Sequence, residues 1–89
     1  MEMTLERTPI REQEFESLVR GHHRPLRAYL ALRLRDGTLA EDLAQEAFLT
    51  AYRKFDSFDR ALPFYPWLRA IAENLARNEL PHRRTQPHD

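Results

Sequence analysis

The sequence predicts an all-α fold, a compact bundle of three to four helices. Three observations point there. The 89 residues contain only two glycines. Apolar residues recur at three- and four-residue steps over long segments, with no sustained period-two alternation. The breaks between those segments carry residues that start and stop helices.

Residues 1–9 read as a flexible lead-in ending at Pro9, residues 10–81 as one helical domain, and residues 82–89 as a disordered tail with little to bury. From about residue 11 to residue 35, Phe15, Leu18, Val19, His22, Leu26, Tyr29, Leu30 and Leu34 keep helical spacing. Pro25 falls inside this run and lacks a backbone donor, so the spacing predicts either one helix kinked near His22 or two helices broken there. Asp36-Gly37 then supplies a stop. Thr38-Leu39-Ala40-Glu41 has the T-x-x-E form of a capping box, in which the threonine and glutamate side chains satisfy each other's free amides. A second helix is therefore expected from Leu39 to about Phe55. Residues 56–66, DSFDRALPFYP, carry two prolines and two aspartates. They predict an ordered loop of about ten residues, a length at which loops commonly carry function. Pro66 suits a first turn, and a last helix is expected from Trp67 to about Leu80, ended by Pro81.

A chain of this length supports one domain with one modest core. The absence of cysteine excludes disulfide frameworks and cysteine-based zinc or thiol sites, and it fits a reducing cytoplasm. No apolar run approaches the roughly 18 residues that suggest a membrane span, and the start MEMTLERTPIREQEF is too polar and acidic for a signal peptide. The expected location is the cytoplasm, with no membrane partner. Fourteen basic residues balance fourteen acidic ones, which argues against a protein that coats nucleic acid by charge alone. Residues 1–50 hold seven basic and nine acidic groups and residues 51–89 hold seven and five, so an anionic partner is expected at the second half. Thirteen of the fourteen bases are arginine, which suits phosphate and base edges but follows equally from a GC-rich genome. His22, His23, His82 and His88 have no metal-ligand spacing. There is no Gly-rich phosphate loop and no serine nucleophile beside a base. Neither catalysis, a cofactor nor a metal is expected.

Projected at about 100° per residue, the stretch AEDLAQEAFLTAYRKF gathers Leu43, Ala44, Ala47, Phe48, Ala51 and Phe55 into one sector. Leu49 falls on the other side, among Asp42, Gln45, Glu46 and Arg53. A lone exposed leucine needs no explanation, but an apolar centre within a polar rim is also the layout of a small protein-binding patch. On the last helix, Leu68, Ile71, Ala72 and Leu75 form a core sector. Trp67, Asn74 and Asn78 line its edge, with Ala70 and Arg77 beside them. Two asparagines on one stripe are poor helix formers; they read either as solvated amides or as amides that pair with base edges or phosphates. Phe55, Phe58, Phe64, Tyr65 and Trp67 interleave with Arg53, Lys54, Arg60 and Arg69. Unpaired bases stack on such surfaces, although a small core needs the same rings. Phe55, Phe58 and Phe64 are expected to pack inside, and Tyr65 and Trp67 to keep a polar tip at the surface.

FESLVRGHHRPLRAYL, AEDLAQEAFLTAYRKFDSF and PFYPWLRAIAENLARNEL together resemble, in order and spacing, the second conserved region of bacterial sigma-70-type initiation factors, particularly the extracytoplasmic-function group. The resemblance covers roughly residues 14–80. It rests on a D-L-x-Q-E-x-F block, then A-Y-R, a D-S-F loop and W-L-x-x-I-A-x-N.

The resemblance implies a helical domain whose middle helix docks on the clamp helices of the largest subunit of core RNA polymerase. It puts that contact on Asp42, Gln45, Glu46, Leu49 and Arg53. It also implies recognition and melting of the minus-ten promoter element, with non-template bases held out of the stack. Carried over, the loop from Ser57 to Tyr65, with Arg60, forms a base pocket. Trp67, Asn74 and Asn78 lie beside it, and Arg69 and Arg77 near phosphates. An anti-sigma factor is a further implied partner. Unstacking a base costs a few kcal/mol, so a neutral domain alone is expected to bind this DNA weakly. The sequence departs from the family's pattern at Ala70, where a base is common. It also departs at Pro81 and Asp89, which interrupt the usual basic continuation. A region reading the minus-thirty-five element is not part of the sequence, which leaves a fragment and a standalone region both open. The competing function is a helical protein-interaction module, held for instance by an anti-sigma-like inhibitor, without independent DNA binding.

Overall fold

The computed structural model describes residues 3–85, with side chains over residues 11–79. Three α-helices follow one another: α1 (Met3–Leu34), α2 (Gly37–Arg53) and α3 (Phe64–Thr85), with a single 3₁₀ turn at Phe55–Ser57. This is the all-α bundle the periodicity predicts.

Helix α1 is unbroken through Pro25. The missing proline amide leaves the Gly21 carbonyl without its intrahelical donor, but Gly21 and Pro25 are both exposed, so water can take that place. Backbone from Met3 onward is helical, including the part of the 1–9 lead-in that is described; residues 1 and 2 lie outside the described residues. Likewise α3 passes Pro81 and runs to Thr85. A proline removes one bond and strains one turn, and a helix already anchored upstream continues beyond it. Of the tail expected over 82–89, residues 86–89 lie outside the described residues.

The α1–α2 junction is made differently from the capping box. Arg35 adopts a left-handed conformation, φ 58°, and its amide donates to the Ala31 carbonyl at 2.7 Å, closing α1. Asp36 is then the N-cap of α2, its side chain accepting from the Leu39 amide at 3.0 Å. Gly37 starts α2 rather than stopping α1. Aspartate caps as well as threonine does, and being two residues earlier it captures the helix start, leaving Thr38 inside the first turn. At the far end α3 begins at Phe64, three residues before Trp67.

The helices bury one core. Leu26, Leu30 and Leu34 of α1, Leu43, Ala44, Ala47 and Ala51 of α2, and Leu68, Ala72 and Ala76 of α3 pack together under the rings of Phe15, Phe55, Phe58 and Phe64. Alanines dominate the α2 side of the contact and let the helix axes approach closely. The rings interlock edge to face, with centroids 5.1 Å apart for Phe15–Phe55 and 5.6 Å for Phe58–Phe64. Phe55, Phe58 and Phe64 are thus all core, as their pattern suggested.

Two arginines tie the loop after α2 back onto α1. Arg11 Nε donates to Asp56 at 3.1 Å. Arg60 makes paired 3.1 Å hydrogen bonds to Glu14 while lying 4.1 Å above the Phe55 ring. Asp59 folds the loop tip by accepting from the Ala61 amide at 3.0 Å.

Candidate interaction surfaces

The outward side of α2 holds the residues that projection singled out. Asp42, Gln45, Glu46, Leu49 and Arg53 are all exposed. Leu49 is 59% exposed, and among the described residues neither Asp42 nor Glu46 forms an ion pair. Among the described residues Arg53 reaches the Thr50 hydroxyl, at 3.3 Å. Leu32 and Leu62 are just as open, so exposure alone does not mark Leu49. Its surroundings do. Leu49 forms part of the rim of an open groove of about 650 Å³ between α1 and α2, with Phe15, Val19, Phe48 and Tyr52 supplying apolar lining and Glu12 and Glu16 acidic edges. The α1 half of this groove escaped sequence reading, because Phe15 and Val19 register there simply as core positions.

The second predicted set divides. Trp67, Asn74 and Asn78 share one stripe of α3, since steps of seven and four residues return to nearly the same face. Trp67 is half-buried, its ring 4.7 Å from Phe58 and 5.8 Å from Phe64. Asn74 and Asn78 are exposed, and Asn74 Oδ1 accepts from Arg77 at 2.8 Å. Arg77 and Ala70 flank this stripe. Tyr65 and Arg69 lie on the far side, against α1: the Tyr65 ring stacks on His22 at 5.8 Å and the Arg69 guanidinium lies 4.7 Å above the Tyr29 ring. Ser57 turns back on its own loop, its hydroxyl donating to the Lys54 carbonyl at 2.7 Å. Arg60 is held by Glu14, as above.

Between the two sides of α3 sits Glu73. Arg33 of α1 donates to it through Nε at 3.2 Å and Nη2 at 2.8 Å, the Tyr29 hydroxyl donates to its other oxygen, and Arg77 lies 4.0 Å away. Hydrogen bonds from Arg33 first and Tyr29 second hold the Glu73 carboxyl at about 2, down from 4.5. Conversely, donating to that carboxylate pushes the Tyr29 hydroxyl above its ordinary value. This network was invisible beforehand: Arg33 and Glu73 are 40 residues apart, and no local pattern links them. Among the described residues no His, Asp and Glu side chains cluster so as to hold a metal ion, and no helix is long and apolar enough to cross a membrane.

The domain thus has three helices, an α2 face on which Asp42 and Glu46 form no ion pair among the described residues, and an α3 face that carries arginines and exposed amides. The chain belongs to the sigma-70 region 2 family, which matches residues 18–86. It is 40% identical over 73 residues to the RNA polymerase sigma factor CarQ of Myxococcus xanthus, covering 82% of this chain and 42% of that protein. It is 36% identical over 78 residues to the RNA polymerase sigma-H factor of Pseudomonas aeruginosa, covering 88% and 40%. Over 39 residues, 44% of this chain and 20% of the relative, identity to the ECF RNA polymerase sigma-E factor of Escherichia coli reaches 54%. The chain therefore spans about two fifths of the first two relatives, 42% and 40%. No solved structure matches it.

Proposed function

We propose that this domain serves transcription initiation by docking on core RNA polymerase through α2 and opening the minus-ten promoter element through α3 and the loop before it. Membership of the sigma-70 region 2 family and relatives named as RNA polymerase sigma factors support the class. The observation that carries the docking half is the free α2 face. Leu49 stands open beside an apolar groove, and the Asp42 and Glu46 carboxylates are spent on no internal ion pair among the described residues. Basic groups on the largest-subunit clamp helices would meet those acids while an apolar side chain enters beside Leu49.

The DNA half rests on the exposed amides of Asn74 and Asn78 next to the Trp67 edge, a surface suited to bases of the non-template strand taken out of the stack. Because the chain carries no net charge, affinity for DNA alone is expected to be weak, and polymerase contacts complete it.

The docking test is retention of core polymerase by Leu49→Glu and Asp42→Arg. Both are expected to lose at least ten-fold in affinity while circular dichroism stays native, and parent-like affinity removes the docking role. For DNA, the polymerase-bound domain should prefer a single-stranded minus-ten-like oligonucleotide to a scrambled one and lose the preference on Asn74→Ala. Equal binding of both strands by the parent would favour the competing function, a module bound by an anti-sigma factor without base readout.

A further inference from the structure

Helix α1 carries a second unpartnered face, on the side turned away from the core. Residues 20–35 hold five arginines and no acidic residue, in a chain whose acids and bases balance. Arg20, Arg27 and Arg33 are paired with Glu16, Glu41 and Glu73. Arg24 and Arg35 form no ion pair among the described residues, and both are exposed. Between them stand Ala28 and Leu32. Steps of four, four and three residues keep all four on one face, while Leu26, Leu30 and Leu34 enter the core. Leu32 is 82% exposed, the most open large apolar side chain among the described residues.

Arg35 adds a separate observation. Its φ of 58° is a left-handed conformation that glycine or asparagine takes with less strain at a helix end. No ion pair among the described residues offsets that strain, which points to a use for the arginine side chain outside the fold. Beside this face, where α1 meets the start of α2, lies an open hollow of about 490 Å³ lined by Arg24, Arg27, Ala28, Ala31, Gly37 and Ala40. Four of these six are small, which leaves room for an incoming side chain. The acid at the hollow, Glu41, already faces Arg27 at 3.6 Å.

The chain itself holds the complement of this face. On α2, Leu49 is exposed together with Asp42 and Glu46; on α1, Leu32 is exposed together with Arg24 and Arg35. Each is an apolar centre with a charged rim, and the rims are of opposite sign. A phosphate polyanion would meet the two arginines and leave Leu32 in water, whereas the α2 face answers both. Zero net charge and a sequence pI of about 6.9 remove the overall repulsion that keeps copies apart near neutral pH. We infer that the partner of the α1 face is a second copy of this chain: Arg24, Leu32 and Arg35 of one copy receive Asp42, Glu46 and Leu49 of the next. Because the two patches differ, each contact takes one face from each copy. The contact stands apart from the proposed function. Its consequence, an α2 face closed to polymerase while copies are joined, rests on the docking half of that reading.

The test is sedimentation equilibrium of the 89-residue chain up to millimolar concentration. In about 10 mM KCl, where the screening length is about 30 Å, the weight-average mass is expected to climb with concentration above the 10.6 kDa of one copy. Raising KCl to about 1 M, which shortens that length to about 3 Å, should return the mass towards one copy. Leu32→Ser and Leu49→Ser change no charge and, both positions being exposed, should keep the native circular dichroism spectrum. Each should weaken association by about ten-fold or more, as loss of an apolar anchor does. An equal mixture of the two variants is decisive, because Leu49 of the first meets Leu32 of the second and one intact contact returns. Its mass should exceed that of either variant alone at the same total concentration. A parent that stays at 10.6 kDa, a Leu32→Ser variant that associates like the parent, or a mixture no heavier than its components overturns the inference. None of these readings involves polymerase or DNA, so self-association and the proposed function fail independently.

Discussion

The outer face of α2 and the outer face of α3 are built on opposite plans. On α2 the acids of the outer face stand apart: Asp42 and Glu46 make no ion pair among the described residues, and Leu49 is exposed on the same face. On α3 nearly every polar side chain is held by another: Asn74 by Arg77, Arg77 near Glu73, Glu73 by Arg33 and Tyr29, and Arg69 on the Tyr29 ring. A face whose acids lack internal partners has its electrostatic energy still to gain from outside. A face whose arginines are already bonded instead offers a fixed pattern of donors. The contrast suits a protein partner that brings its own bases to α2, and a polyanion that lies across a prepared surface at α3.

Both faces depend on the core behind them, and removing Phe55 would break them together. Phe55 is fully buried and packs on Phe15, Phe58 and Phe64. Phe55→Ala should cost about 3–5 kcal/mol, a large part of the stability of a domain this small, and chemical denaturation would show it. The next largest effect should loosen the α3 face alone. Glu73→Gln is expected to cost roughly 1–2 kcal/mol near neutral pH, since it ends a charge-assisted network that is partly open to water. The Glu73 pKa is lowered in the folded state, to about 2 from 4.5, so the native protein binds that proton less readily than the unfolded chain. The stabilisation is therefore complete above about pH 4.5 and disappears as pH falls towards 2. Denaturation midpoints of parent and variant should converge over that window, and a gap that persists at its lower end would place the energy elsewhere.

At the start of α2, Asp36→Ala should cost about 1 kcal/mol through loss of the cap, while Thr38→Ala stays within about 0.5 kcal/mol. The reverse order would restore the capping box. The smallest effect on stability sharpens the comparison most: Leu49→Glu, on the open face, should change folding energy by no more than about 0.5 kcal/mol.

Those outcomes also mark what could be read in advance. The two-sidedness of α2 was legible because eleven residues from Asp42 to Tyr52 alternate core and surface at strict helical steps, and burial at Leu43, Ala44, Ala47, Phe48 and Ala51 follows that projection. The boundaries were less legible. Asp36 and Thr38 are both good caps two residues apart, and only three-dimensional closure at Arg35 selects the first. Pro25 and Pro81 are local arguments against a helix, overridden where neighbouring turns are anchored or open to water. On α3 the sequence projection correctly drew Trp67, Asn74 and Asn78 together. Arg69, which the resemblance sets near phosphates, lies across the helix from that stripe, 4.7 Å above the Tyr29 ring of α1. Contacts between residues 40 or more apart, such as Arg33 with Glu73 and Arg60 with Glu14, have no periodic signature at all.

The most direct test of two faces with two partners is site-specific photocrosslinking, with a photoreactive amino acid placed at position 49 or at position 78 and the domain assembled with core polymerase and promoter DNA. Position 49 is expected to crosslink to the largest polymerase subunit and not to DNA, and position 78 to the non-template strand. Silence at position 49 in the assembled complex, or DNA captured from it, would contradict the account.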